Sequence, residues 1–166
     1  MNRLGPILGS IVFLFVAPGI VAGVIPWAIS QYRMDAPLLG FEPLRWIGGL
    51  VLLLGAVLLL ETFARFALQG LGTPAPIAPT KTLVVTGSYR FVRNPMYVAV
   101  VSLIFGQGLW FGNWGVMAYG LVVWLTVHLF VLAYEEPTLS QSYGAQYDSY
   151  RANVRRWIPR LTPWRG

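Results

Sequence analysis

The chain alternates between long apolar blocks and short polar stretches. Four apolar blocks stand out, at residues 7–29, 46–68, 96–111 and 114–134. Blocks of this length and continuity predict helices that cross a bilayer. A polar loop, 69–94, separates the second block from the third, and a polar, aromatic tail, 135–166, follows the fourth. The predicted fold is therefore all-α, a polytopic membrane protein with four transmembrane helices in a single domain over 1–166. Pro18 and Pro26 should kink the first helix or end it early. That block follows Arg3 as a signal-peptide core would. It is too long for one and lacks a small-x-small cleavage site, so it is expected to be retained.

The tail has its own period. Leu139, Tyr143, Tyr147, Tyr150, Val154 and Trp157 recur every three or four residues, with Gln146, Asp148, Arg151 and Arg155 on other faces. This pattern predicts a C-terminal amphipathic helix at the membrane interface, broken or bent at Gly144. The same aromatic face has a second use open to it, as a lid over a site below.

Block lengths place that site. The third block has 16 residues and spans about 24 Å; the fourth has 21 and spans about 32 Å. They share a tight Gly112-Asn113 turn, so their outer ends are level. The third helix must then begin about 8 Å deeper than the fourth ends. The step leaves a notch bordered by Arg93, Asn94, Glu135 and Glu136.

Composition sharpens this picture. Hydrophobic residues make up 56% and charged residues 11% of the 166 positions, where soluble domains run nearer a quarter charged. The absence of cysteine removes disulfides and thiolate metal sites, and a single histidine makes a metal centre unexpected. The net charge of +6 is concentrated in the tail, where Arg151, Arg155, Arg156, Arg160 and Arg165 fall within the last sixteen residues. With no nucleic-acid motif present, membrane lipids are the expected partner of this basic end, and nucleic acid is not. Arg3, Arg65, Lys81, Arg90, Arg93 and the tail arginines all fall on one side of the predicted spans, against Arg33 and Arg45 on the other. The positive-inside rule puts both termini and the long loop in the cytoplasm.

Around the notch, Asn94-Pro95 suits a helix start, with asparagine as N-cap and proline in the first turn. A helix mouth with free amides also attracts anions, and Arg93 can grip a carboxylate in two places. Glu135-Glu136 can pair with the basic tail, or bind a cation or a pair of ribose hydroxyls. Glu61 has Arg65 four residues later, so a same-face ion pair is expected, although an intramembrane carboxylate also marks a functional candidate. His128 lies two turns before Glu135, on the same face of a regular helix, and suits either packing or pocket lining. Gly106-Gln107-Gly108 suits close helix packing, and Gly70-Leu71-Gly72 ends the second helix where a cofactor could touch it.

These features converge on a family. "TPAPIAPTKTLVVTGSYRFVRNPMY" followed, after one hydrophobic hairpin, by "EEPTLSQSYGAQYDSYRANVRRWIP" resembles the isoprenylcysteine carboxyl methyltransferase and phospholipid methyltransferase group of integral membrane enzymes, over about Gly72 to Trp157. The resemblance implies S-adenosylmethionine as cofactor, with Tyr89, Arg93, Asn94, Tyr97, Glu135 and Glu136 as its binding residues. It also implies a lipophilic acceptor, an isoprenylcysteine-like carboxylate or a lipid headgroup, reached from the bilayer at the cytoplasmic face. Many members have histidine where this chain has Asn94; asparagine keeps the hydrogen bond but cannot titrate, so that position is no general base. If the acceptor must lose a proton, His128 or Glu61 are the candidate catalytic groups. Two rival readings are an NADPH-dependent membrane sterol or lipid reductase of similar fold, and a small four-helix transporter built around Glu61. Paired glutamates repel a dinucleotide phosphate, and a transporter leaves the helix-mouth and tail motifs unused.

Overall fold

A computed structural model describes residues 16–69 and 83–165. The expected start of the first helix, Arg3, Gly70-Leu71-Gly72 and Lys81 lie outside these residues. The described chain is all-helical: α1 (Val16–Ser30), α2 (Pro43–Gln69), α3 (Pro95–Phe111), α4 (Trp114–Tyr143) and α5 (Ala145–Asn153). Short 3-10 turns cover Leu38–Gly40 and Gly87–Arg90. In place of four clear spans, two helices have the length and composition to cross a membrane, Pro43–Arg65 of α2 and Trp114–Tyr143; α1 and α3 are apolar but shorter. Their outward faces are apolar: Leu50, Leu53, Val57 and Leu60 on α2, and Leu121, Val122 and Leu129 on α4, are exposed. A contiguous apolar surface of this kind needs a non-aqueous neighbour.

The helices pack through small residues. On α2, a Cβ on Gly48 would lie 2.6 Å from the Leu109 Cβ and 2.7 Å from the Trp110 amide nitrogen; on α3, one on Gly106 would lie 2.8 Å from the Leu52 amide nitrogen. The two backbones therefore approach as small-residue helix pairs do. Gly112, at φ +72°, ends α3, and a side chain there would strike the Ala36 carbonyl oxygen. Asn113 then starts α4 by accepting a hydrogen bond from the Val116 amide at 3.0 Å, so the hairpin needs only two linking residues. At the same end Arg45 donates to the carbonyls of Trp110 (2.8 Å) and Asp35 (2.9 Å), tying the start of α2 to the end of α3.

Both long irregularities precede a proline. In α1 a π-turn, Ile20–Val24, comes before Pro26, which has no amide to offer the Ala22 carbonyl. Side chains supply the donors: Tyr119 to Val21 (2.9 Å), Gln107 to Ala22 (2.7 Å) and Tyr32 to Gly23 (3.1 Å). Satisfying freed carbonyls from neighbouring helices is what an apolar surrounding demands. In α4 the second π-turn, Val131–Glu135, comes just before Pro137. A π-turn adds one residue, which rotates everything beyond it by about 100°. His128 and Glu135 therefore do not share a face, contrary to the expectation from a regular helix.

Gly106→Ala should lower stability by about 1–3 kcal/mol, because the added methyl meets Leu52 backbone that cannot move alone. Gly23→Ala, with nothing within 4 Å, serves as the control and should leave the midpoint level or slightly higher. Thermal unfolding of both variants in one detergent reads the difference; equal midpoints would mean that α2 and α3 do not cross where Gly106 lies.

Candidate active site

The segment leading into α3 is held from below and above. Gly87, at φ +55°, opens the 3-10 turn, and a side chain there would collide with the Arg65 guanidinium. Arg65 itself pairs with Glu61, as the spacing predicts. From above, the tail beyond α5 straps the segment by its backbone: Arg93 N donates to Arg155 O (2.9 Å), Arg160 N to Phe91 O (2.8 Å) and Trp164 N to Arg90 O (2.9 Å). The Tyr150 hydroxyl adds a bond to the Tyr89 carbonyl at 2.6 Å.

The strap changes the role of Asn94. Its position is that of an N-cap, yet its side chain caps nothing. Nδ2 donates instead to the Arg156 carbonyl at 3.2 Å, so the tail, not the α3 amides, claims the side chain. The capping expectation is corrected on this point, while Pro95 does open α3 as expected.

The paired glutamates separate. Glu136 accepts both forks of Arg156, at 2.6 and 2.9 Å, and Arg93 NH2 stands 3.1 Å from its Oε1. The side chains of Glu136 and Arg93 are only 11% and 9% exposed, so this is a buried cluster of two cations on one anion. Arg93 also reaches the Tyr147 hydroxyl at 3.3 Å. Arg156 is held above the ordinary guanidinium range, first by its hydrogen bond to Glu136 and then by that carboxylate's charge. Glu135, one residue earlier and rotated by about 100°, turns the other way. It accepts from the Tyr97 hydroxyl at 3.1 Å and has no cationic partner among the described residues.

Glu135 faces a cavity of about 150 Å³ lined by Leu83, Val84, Tyr89, Arg93, Asn94, Met96, Tyr97, Glu135, Leu139, Tyr143 and Tyr150. Five of the six residues expected to bind a cofactor therefore meet here: Tyr89, Arg93, Asn94, Tyr97 and Glu135. Glu136 does not line the cavity; it positions Arg93, which does. The Arg93 Nε is buried without a partner among the described residues. Burial, then the Glu135 charge, holds the Tyr89 hydroxyl far above its ordinary range, and burial does the same for Tyr150. Both therefore stay protonated near neutral pH and can donate hydrogen bonds but not act as bases.

Neither candidate base lines this cavity. His128 Nδ1 accepts from Trp157 Nε1 at 3.0 Å, and its ring stacks on Trp124 at 5.3 Å. Glu61 is engaged with Arg65. The π-turn accounts for the displacement of His128 from the Glu135 face.

The tail forms two short helical pieces, the end of α4 and α5, broken at Gly144 (φ 50°, ψ −129°) as expected. Its aromatic face turns inward. Tyr147, Tyr150 and Val154 are buried against Leu83, Val85, Leu139, Tyr143 and Trp164. Of the two uses open to that face, the structure displays the lid: Leu139, Tyr143 and Tyr150 form one wall of the cavity. Glu136 pairs with the basic tail through Arg156, one of the uses expected of the paired glutamates. The Leu83-Val84 wall was missed in the sequence, and the apolar run Leu83-Val84-Val85, inside an otherwise polar loop, was the signal for it.

A helical protein with an apolar outer surface, and a cavity at one end built from a helix mouth, a helix foot and a tail, has the build of a membrane protein. The chain is a member of the phospholipid methyltransferase family, which it matches over residues 44–146. It is also 31% identical over 64 residues to an uncharacterized protein of Haemophilus influenzae, covering 38% of this chain and all of that one. Family and apolar helices together make this a membrane protein, and the family is one of methyltransferases. The family match ends at residue 146, before Arg156 and Trp157.

Glu136→Gln should cost about 3–5 kcal/mol, since it strands Arg93 and Arg156 as uncompensated cations. Faster proteolysis of the tail and a lower thermal midpoint are the expected readouts. A wild-type cleavage rate and midpoint would show that the cluster does not hold the tail. Asn94→Asp separates cap from strap. A cap tolerates aspartate, whereas a donor to the Arg156 carbonyl does not, at a cost of about 1–3 kcal/mol. Unchanged melting of that variant would return Asn94 to the capping role.

Proposed function

We propose that this chain is an S-adenosylmethionine-dependent methyltransferase acting on a lipophilic acceptor that arrives from the bilayer. The observation that carries the reading is the cavity itself. Both halves of the sequence motif line it, and its one carboxylate, Glu135, has a tyrosine hydroxyl but no cation among the described residues. A half-buried carboxylate in that condition suits an ammonium or sulfonium group. The Arg93 Nε, buried and without a partner among the described residues, suits a carboxylate. An α-amino acid carrying a sulfonium presents both charges, so the donor set fits the cofactor's methionine portion. At about 150 Å³ the cavity lies below the roughly 300 Å³ of ordinary ligand pockets, a size that would suit that portion alone.

When bound, the cofactor would supply a methyl group on a cationic sulfur, activated for transfer to an acceptor lone pair with a neutral thioether as leaving group. The residues of this chain orient and exclude water. Glu136 and Arg156 fix Arg93. Tyr97 fixes Glu135. Leu139, Tyr143 and Tyr150 close the side toward the tail. Holding two reactants in line can supply up to roughly 7–11 kcal/mol of the barrier. Tyr89 and Tyr150 stay protonated and His128 and Glu61 are engaged elsewhere, so an acceptor that brings its own lone pair, such as a carboxylate or a neutral amine, suits the site best. Cytoplasmic placement of the cavity is part of this proposal, resting on the arginine distribution.

Adding S-adenosylmethionine or its demethylated product to the detergent-solubilised protein should raise the thermal midpoint, by the equivalent of about 2.7 kcal/mol at a hundredfold excess over Kd. NADPH should leave it alone. A shift with NADPH only would favour the reductase. Glu135→Gln should weaken binding of the product amino acid roughly tenfold or more, as expected for loss of a charge-assisted bond; calorimetric titration measures it, and wild-type affinity would remove Glu135 from the ligand site.

A further inference from the structure

Beyond α5 the chain returns toward the bundle. Trp157 reaches His128, which stands seven residues before Glu135 and so about 10 Å nearer the middle of α4. Leu125 and Leu129, on either side of His128, are exposed as lipid-facing residues are. The segment after Trp157 then turns along the approach to α3, where the Arg160 and Trp164 amides donate to the Phe91 and Arg90 carbonyls. Two of its apolar side chains are not folded inward: Ile158 is 62% exposed and Leu161 fully so, at 100%.

Cations surround them. A concave surface of about 670 Å³ is lined by Arg93, Arg151, Arg155 and Arg160, with Pro159 and Leu161 beside them. Their charges are unequally used. Arg93 is committed to Glu136. Arg160 donates to the carbonyls of Asn153 and Thr162, which orient the guanidinium without cancelling its charge. Arg151 has only an exposed contact with Asp148 at 3.4 Å, of a kind worth little. The Arg155 side chain is exposed and bonds to no other described residue. Three poorly compensated arginines thus sit beside two uncovered aliphatic side chains, in a segment that Trp157 anchors to α4.

We propose that Arg151, Arg155 and Arg160 form a headgroup site for an anionic phospholipid, with Ile158 and Leu161 embedded among its acyl chains. Guanidinium forks match phosphate oxygens, and the apolar pair matches the hydrocarbon just below. An exposed leucine on a basic segment is costly in water and favourable in an interface. Arg160 also bonds the Phe91 carbonyl through its amide, so lipid held here presses the strap onto the segment that forms the cavity mouth. The site lies outside the cavity and does not depend on the transfer chemistry.

The chain has no cysteine, so Leu161→Cys accepts a single environment-sensitive fluorophore. The full chain is placed in nanodiscs of phosphatidylcholine, with and without phosphatidylglycerol. The label should shift to the blue with phosphatidylglycerol, be quenched by acyl-brominated lipid, and be shielded from acrylamide. Arg151→Gln/Arg155→Gln, assayed with the same label, should need roughly thirtyfold more phosphatidylglycerol for the same shift, at about 1 kcal/mol for each arginine. Its thermal midpoint in neutral detergent should be unchanged, since both side chains are exposed. Inorganic phosphate in solution should not reverse the shift. Free access of acrylamide to the label in phosphatidylglycerol discs overturns the proposal. So does an unchanged lipid requirement in the double variant, and reversal by phosphate would replace the lipid with a soluble anion.

Discussion

Three parts of the chain far apart in sequence meet on one buried carboxylate. Arg93 arrives at the mouth of α3, Glu136 at the foot of α4 and Arg156 in the tail. None could be buried alone, because an isolated ion loses several kcal/mol on leaving water. Together the fork of Arg156 and the tip of Arg93 satisfy both oxygens of Glu136. The backbone bond from Arg93 to Arg155 and the side-chain bond from Asn94 to the Arg156 carbonyl follow from that meeting, since they lie within a residue of it. The cavity exists because the tail is held there: without the strap, Leu139, Tyr143 and Tyr150 have nothing to press against.

The cluster also sets the electrostatics of the cavity. Two adjacent glutamates would repel each other if both faced one space. The step of about 100° between neighbouring helix positions places them on different sides, one neutralised by two arginines and the other by none among the described residues. A single carboxylate is left facing the cavity, with one arginine beside it whose Nε has no partner among the described residues. That arrangement favours a ligand carrying both charges over a simple cation or a phosphate.

Elsewhere the fold shows the same economy of irregular features. Each π-turn precedes a proline, and in α1 the carbonyls there are answered by Tyr119, Gln107 and Tyr32. Gly48 and Gly106 let α2 and α3 touch along their backbones, which fixes where the mouth of α3 lies relative to Glu61 and Arg65. His128, the only histidine, is spent on Trp157 and so links the tail to α4.

Much of this was legible in the chain itself. Apolar block length determined the helices and their order, because a run of some twenty apolar residues has few other uses. Gly112-Asn113 determined the hairpin and Gly144 the break, because left-handed backbone is cheap only for glycine. Of the four residues expected to border a notch at the step between the third and fourth blocks, Arg93, Asn94 and Glu135 line the cavity and Glu136 does not. What the tertiary structure alone decided was direction. One added residue in the π-turn sent Glu135 and His128 to different faces, and strict 3.6-residue periodicity cannot register such a turn. The strap drew Asn94 away from the cap, because a carbonyl sixty-two residues later offered its side chain a better-placed acceptor. The tail's aromatic face turned inward rather than to lipid, because a periodic stripe records that a face is buried and not what buries it.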